Sequence, residues 1–274
     1  MKAGLPKLAK GWSSEFVERD GERIHFLVRG EGPLIVLAHG ALGDGTQHWI
    51  ESEFADAFLD HFKIAVPDAR GHGQSSKSAN AVFHNLEQRA ADLVAVADKL
   101  GAQKAWYMGY SMGGWTVAGI AKYFPDRCHG LVIAGWDVEK GMYRSASNLG
   151  LEELNYDILV GLAREAAPQM TEWITAEIEP GLRMSINAIN NLDGQAEALA
   201  FLNKPVLFWL GQDDAYHDPM SEYAKKHAIP VLSTPGDHVG AIMTHALSAS
   251  YSICGYVRGL MSLKQSLPET ESLV

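Results

Sequence analysis

The chain has 274 residues, enough for one large domain with a substantial core, and its 47% hydrophobic and 20% charged content is that of an ordinary folded protein. A net charge of −10 argues against a nucleic-acid partner, because the phosphate term that dominates such binding would be repulsive. The two cysteines, Cys128 and Cys254, are too few for a disulfide framework and lack metal-type spacing, and no apolar run approaches the ~18 residues of a membrane span.

Residues 1–12 carry three lysines and no continuous apolar stretch, so no secretory leader is read there and a cytoplasmic location is expected. Residues 15–29 read as a hairpin, with Asp20-Gly21 supplying a positive-φ turn. The run 33–38 is continuously apolar, as in a strand buried on both faces, and leads into His39-Gly40-Ala41-Leu42-Gly43. Helical spacing over 47–60 and a strand at 62–67 precede the turn Asp68-Ala69-Arg70-Gly71-His72-Gly73-Gln74-Ser75. An amphipathic helix is predicted over 84–100, stopped by Gly101. The strand 105–108 runs into Gly109-Tyr110-Ser111-Met112-Gly113, a small-residue helix follows over 112–123, and 130–135 is another buried strand.

Alternating strands and helices argue for a parallel sheet wrapped by right-handed crossovers. Between Trp136 and Asn203 the alternation fails: helical patterns stand at 152–166, 170–177 and 182–191, with no convincing strand. Roughly 65 residues without a strand is too long for a loop. The stretch 136–203 is read as a helical cap inserted into a core domain formed by 1–135 and 204–274. The sheet resumes at 205–210, before Gly211-Gln212-Asp213-Asp214. A helix at 219–227 and a strand at 230–233 lead to Pro235-Gly236-Asp237-His238. One long helix is expected over 238–260 and a frayed tail over 264–274.

Gly-x-Ser-x-Gly between an apolar strand and a helix is the pattern of a serine held on a strained turn. Gly109 and Gly113 flank Ser111 because a Cβ at either would meet neighbouring backbone, and the Met112 N–H at the helix start points where an oxyanion would form. A serine hydroxyl needs a base, usually a histidine oriented by a carboxylate. In an open parallel sheet such groups follow the carboxyl ends of strands, which selects Asp214 and His238 downstream of Ser111. Asp213 and Asp137 are rival acids, and His217 a histidine expected to face cap or solvent. Asp237 reads as a solvated carboxylate that raises the pKa of His238. His39 is expected to brace the loop after the third strand, and Arg70 and His72 to pin a turn. No histidine pair has metal-ligand spacing, and the glycines at 40–45 form no nucleotide-binding pattern, so neither metal nor cofactor is expected. Most aromatics and methionines of the cap (Met142, Tyr143, Met170, Trp173, Met184) should seat it on the sheet, whereas Trp136, with Leu42, Met112 and Tyr216, would form an apolar substrate pocket.

Together, His39-Gly40, Asp68-x-Arg70-Gly71-His72-Gly73-x-Ser75, Gly109-Tyr110-Ser111-Met112-Gly113-Gly114, Gly211-x-x-Asp214 and His238 resemble the α/β-hydrolase fold across most of the chain. The resemblance implies an eight-stranded, mostly parallel sheet, a Ser111–His238–Asp214 triad, and an oxyanion hole from the N–H groups of Met112 and Ala41. A serine at the elbow excludes the haloalkane dehalogenase and epoxide hydrolase branches, which need aspartate there. The glycine patterns of proline iminopeptidases and meta-cleavage hydrolases are absent. The menaquinone-pathway lyase is similar at Gly-Tyr-Ser-Met-Gly-Gly, but its following arginine is Trp115 here. The expected reaction is hydrolysis of a small, apolar carboxylic ester or lactone through an acyl-enzyme, by a monomer or homodimer. The alternatives are a thioesterase, a carbon–carbon hydrolase or lyase with the same triad, and a hydrolase-fold ligand receptor with little turnover.

Overall fold

The computed structural model describes residues 11–266, with side chains through residue 263. Of the stretch 1–12, read as carrying no leader, residues 1–10 lie outside the described residues, as do residues 267–274 of the tail expected over 264–274. Eight strands form one sheet: β1 (Ser13–Arg19), β2 (Glu22–Arg29), β3 (Leu34–Ala38), β4 (Lys63–Pro67), β5 (Ala105–Tyr110), β6 (Cys128–Ala134), β7 (Val206–Gly211) and β8 (Val231–Thr234). Their spatial order is β1-β2-β4-β3-β5-β6-β7-β8, with β2 antiparallel to both neighbours and β3 to β8 parallel. The β1–β2 hairpin turns at Asp20 (φ 54°) and Gly21 (φ 77°), as the Asp-Gly pair predicts.

The unbroken apolar runs of the central strands have a simple cause: both faces are covered. Val36, Tyr107, Leu131, Ile133 and Phe208 pack on one side with α1 (Leu86–Lys99) and α2 (Met112–Tyr123). Ile35, Leu37, Trp106, Met108, Val132 and Trp209 pack on the other with Trp49, Phe54, Phe58 and, from the last helix, Ile253 and Val257. Each such buried side chain contributes on the order of 1.5–3 kcal/mol, an upper estimate for a chain already partly collapsed when unfolded. The register pairs Ala38 with Gly109, Tyr110 with Ala134, Ala134 with Trp209, and Gly211 with Thr234. The parallel strands therefore end level, and the residues that follow them emerge along one edge of the sheet.

Between β6 and β7 the described residues are helical: α3 (Met142–Asn148), α4 (Tyr156–Ala166), α5 (Glu179–Ala188) and α6 (Gln195–Ala200). Tyr156 and Val160 of α4 and Leu182 and Ile186 of α5 enclose Leu42, so these helices cover the loop that follows β3. Polar ties reinforce the seating: Trp115 Nε1–H donates to the Asn191 carbonyl at 2.9 Å and Trp136 Nε1–H to Gln195 at 3.1 Å. The helix predicted at 170–177 is absent. There the Trp173 indole N–H takes the Met170 carbonyl (2.8 Å) and the Thr171 hydroxyl takes that of Pro168 (3.0 Å), leaving a run of turns.

Two further predicted helices are broken. The stretch 47–60 forms a wide π-type turn at Thr46–Ile50 and a 3₁₀ turn at Phe54–Phe58, separated by Glu53 in the left-handed region (φ 60°). Ser52 Oγ–H bonds the His48 carbonyl at 2.6 Å, and this side-chain competition ends the first turn. The closing helix divides into α8 (His238–Met243) and α9 (Ala246–Ser266), because the Gly240 carbonyl accepts from both Thr244 and His245 and so terminates α8. Lys264–Ser266, predicted to fray, continue α9. Residues 217–226 form α7, as predicted to within two residues.

Candidate active site

Ser111 sits between β5 and α2 with φ 56° and ψ −118°, a backbone conformation costly for any residue with a side chain. The strain is held by close packing. The Ser111 N–H donates to the Ala134 carbonyl at 2.8 Å. A Cβ at Gly109 would lie 2.1 Å from the Gly113 carbonyl oxygen, and one at Gly113 would lie 2.0 Å from that of Ala38. Only glycine fits at either place.

The turn presents the Ser111 hydroxyl to His238, 3.0 Å from Nε2. On the far side of the imidazole, Nδ1–H donates to Asp214 Oδ2 at 2.8 Å, and the Asp214 carboxylate is almost wholly buried. Hydroxyl, imidazole and carboxylate thus form one hydrogen-bonded line, contributed by the ends of β5, β8 and β7. Burial works against the imidazolium of His238, but the Asp214 carboxylate, by charge and by hydrogen bond, and Asp237 outweigh it, and its pKa stands above the ordinary histidine value.

The rival acids are elsewhere. Asp137 is fully buried but accepts from the N–H groups of Glu139 and Lys140 and from Arg144. Asp213 is exposed. His217 bonds Asp218 and the Ser233 hydroxyl at the end of β8. Asp237 caps α8, accepting from Val239 and Gly240 N–H, so it is a structural cap as well as a charge beside His238.

Facing Ser111 is the loop after β3. His39 braces it, as predicted: Nδ1–H donates to the Gly40 carbonyl (2.7 Å), while Nε2 accepts the Ala69 N–H (2.9 Å). The Gly40 N–H is taken by His48 Nδ1 at 3.0 Å. Among the described residues neither Ala41 N–H nor Met112 N–H has a protein partner. Met112 N–H also lies at the positive end of α2. Burial holds His39, His48 and His72 below the ordinary histidine pKa, His48 down to about 3. Arg70 is fully buried and clamps Asp92 of α1 with two bonds of 2.6 Å, and His72 Nδ1–H donates to the Arg70 carbonyl at 3.2 Å.

Of the residues expected to line a pocket, Leu42 adopts φ 59° and packs into the apolar cluster of α4 and α5. Trp136 and Tyr216 are buried, at 1% and 4% exposure. The Tyr216 ring stands edge-on to His238 (5.4 Å between centroids) and to Trp136 (6.1 Å), and the Tyr216 backbone N–H donates to Asp214 Oδ1. The Ser145 hydroxyl from α3 donates to the Tyr216 hydroxyl at 2.7 Å.

Sequence reasoning missed two members of this arrangement. The Tyr110 hydroxyl donates to the His238 carbonyl at 2.7 Å, tying the histidine to the elbow strand. Its one signal is its place before Ser111, which strand alternation turns to the opposite face. His48 carried no signal, since its stretch read as an amphipathic helix. Among the described residues no group of His, Cys, Asp and Glu could hold a metal ion, and no helix is long and apolar enough to cross a membrane.

A family model described as the alpha/beta hydrolase fold matches residues 33–146, which include the β3 loop and the elbow. Epoxide hydrolase B of Mycobacterium tuberculosis is 34% identical over 119 residues, 41% of this chain and 32% of that protein. 3-Oxoadipate enol-lactonase 1 of Acinetobacter baylyi is 26% identical over 163 residues, 59% of this chain and 58% of that protein. The matched stretch is thus less than two thirds of either relative. The crystal structure of the enol-lactonase from Burkholderia xenovorans LB400 superposes with a TM-score of 0.67 at 18% identity, covering 90% of this chain and all of that one. With its strand order, its serine elbow and these likenesses, the chain has the α/β-hydrolase fold.

Proposed function

We propose that this protein is a serine hydrolase that cleaves a small carboxylic ester or lactone through an acyl-enzyme. The observation that carries the reading is the continuous line Ser111 Oγ–His238 Nε2 (3.0 Å) and His238 Nδ1–Asp214 Oδ2 (2.8 Å). Ser111 attacks the carbonyl while His238 takes its proton, and the imidazolium so formed is stabilised by Asp214. The oxyanion is received by the N–H groups of Met112 and Ala41. His238 returns the proton to the departing alcohol, then deprotonates a water that attacks the acyl-enzyme and releases the acid.

Several relatives are named epoxide hydrolases, yet the elbow residue argues for a carbonyl substrate. A serine oxygen opening an epoxide would leave an ether, with no carbonyl for water to attack, and the enzyme would stop after one turnover. An ester or lactone returns the serine instead. The relative named an enol-lactonase supports this class, and its match of 163 residues is longer than the 119 of epoxide hydrolase B. Residues 136–203 serve as the cap in this reading, with Leu42 contacting the acyl group beneath α4 and α5. Trp136 and Tyr216 form the wall behind His238. Both cysteines are buried and neither forms a disulfide among the described residues, which suits a reducing, cytoplasmic setting.

Fluorophosphonate labelling tests the reading, followed by turnover assays on short-chain esters, lactones and thioesters. Wild type should label at Ser111 and hydrolyse esters or lactones. Ser111→Ala should lose labelling and at least about a thousandfold in kcat. Full activity in Ser111→Ala overturns the mechanism, exclusive thioester turnover moves the substrate class, and binding without turnover points to a receptor.

A further inference from the structure

We infer that His48 is a positioning residue that aims the oxyanion-binding amide of Ala41, an inference resting on the acyl-transfer reading. The relevant unit is the peptide between Gly40 and Ala41. A trans peptide is planar, with its C=O and N–H pointing in opposite directions, so whatever holds the Gly40 carbonyl also aims the Ala41 N–H. His39 holds that carbonyl at 2.7 Å. One hydrogen bond leaves the plane free to rock about its own axis, and the chain on either side must supply the second constraint.

On the C-terminal side the chain offers strain rather than support, because Leu42 is in the left-handed region at φ 59°. The N-terminal side is where His48 acts, its Nδ1 accepting the Gly40 N–H at 3.0 Å. Both polar groups of Gly40 are therefore committed to imidazoles, one on each side of the residue. The ring is enclosed by the loop it holds: a Cβ at Gly40 would lie 2.9 Å from His48 Cε1 and 3.3 Å from Ser111 Cβ, and one at Gly43 would lie 2.6 Å from His48 Nε2. The two Gly40 distances place His48 within about one side-chain length of the nucleophile. The imidazole is itself anchored, since its backbone N–H donates to the Asp44 carbonyl and Ser52 caps its own carbonyl.

Accepting at Nδ1 requires a lone pair there, so the proton of the neutral ring resides on Nε2. The titratable groups that face it are His39 and His238, both of which disfavour a charge on it. His48 thus remains an acceptor while His238 gains and loses its catalytic proton. Committing Gly40 N–H to His48 also removes it as a competing donor and leaves Ala41 as the loop's contribution to the hole.

The test compares wild type, His48→Ala and His48→Asn by fluorophosphonate labelling rate, ester kcat and KM, and thermal melting, with Ser111→Ala as the labelling control. The phosphoryl oxygen of the probe uses the same donors as an ester oxyanion. His48→Ala should slow labelling and kcat by about 10- to 100-fold, with KM within about threefold. Asn, whose Oδ1 can accept the Gly40 N–H, should recover most of that rate. Wild-type labelling in folded His48→Ala, or a folded His48→Asn as slow as His48→Ala, overturns the inference. Should His48→Ala not fold, long-range ¹⁵N NMR of wild type decides: a proton on Nε2 with Nδ1 bare at pH 7 sustains it, and a proton on Nδ1 overturns it. A failure of the acyl-transfer reading would show separately, as labelling that persists in the Ser111→Ala control.

Discussion

Two loops meet at Ser111, and they are held by different forces. The elbow after β5 is held by backbone packing: Gly109 against Gly113, Gly113 against the Ala38 carbonyl, and Ser111 N–H on Ala134. The loop after β3 is held by side chains, with His39 and His48 on the two polar groups of Gly40 and Asp68 accepting the Gly45 N–H at 3.2 Å. Steric packing of main chain does not depend on pH and tolerates no added atom. An arrangement of neutral imidazoles tolerates some change in shape but fails when the rings are protonated. The proposed nucleophile is thus fixed by geometry, while the Ala41 amide proposed for the oxyanion rests on neutral imidazoles.

The largest expected effect lies at the point both loops serve. Asp214→Asn should lower kcat/KM by about 10³- to 10⁴-fold, whereas Asp137→Asn, whose carboxylate is spent on Arg144 and two amides, should leave it within a fewfold. The sign of the accompanying pH shift follows from the balance at His238. Burial lowers its pKa and Asp214 raises it beyond that, so the acid limb of kcat/KM should have its midpoint above 6.5 in wild type. Without the carboxylate, burial prevails and the residual activity should titrate at lower pH. An unmoved midpoint would show that another group sets the limb.

Next in size is the steric contrast. Gly113→Ala drives a Cβ to 2.0 Å from the Ala38 carbonyl oxygen and should cost about 3 kcal/mol or more in urea unfolding. Gly40→Ala meets side chains rather than backbone, the His48 ring edge at 2.9 Å and the Ser111 Cβ at 3.3 Å, and should cost roughly 1 kcal/mol. Equal costs at the two positions would erase the distinction between a backbone-held and a side-chain-held loop.

The smallest effect near neutrality is the response to acid. His39, His48, His72 and His84 all have folded pKa values below that of the unfolded chain, chiefly from burial, His48 at about 3 and His84 at about 4. Above pH 6.5 both states are neutral at these rings and the stability is whole. As pH falls from 6.5 towards 3, the unfolded chain takes up protons that the native rings refuse, so stability falls progressively. The urea midpoint should therefore drop between pH 7 and pH 5, and His48→Asn should flatten that drop. A midpoint constant over this range would mean that the rings do not carry the loop.

The elbow was legible because glycines at fixed offsets from a serine, between an apolar run and a helix pattern, leave few alternatives for the backbone. The sheet was legible for a similar reason: strands buried on both faces must be continuously apolar, and those at 34–38, 105–110 and 206–211 are. Asp214 and His238 could be placed because parallel strands end level, and order along the chain then becomes position along one edge. The helical insertion was read as a class, but 170–177 failed as a helix once side chains of Trp173 and Thr171 took carbonyls that periodicity cannot see.

His48 marks the limit most clearly. In sequence it is one polar residue in an amphipathic stretch, eight positions from Gly40, and its ring nitrogen meets that amide from a short π-type turn that periodicity does not foretell. Tyr110 is similar, since its bond to the His238 carbonyl spans 128 positions. Local pattern thus determined the strands, the elbow and the chain order of the site, all of which follow from short-range sterics and burial. Which carboxylate reaches His238, which amides remain free near Ser111 and which rings stay neutral were decided by contacts between distant segments, whose energies depend on burial that exists only after the chain has folded.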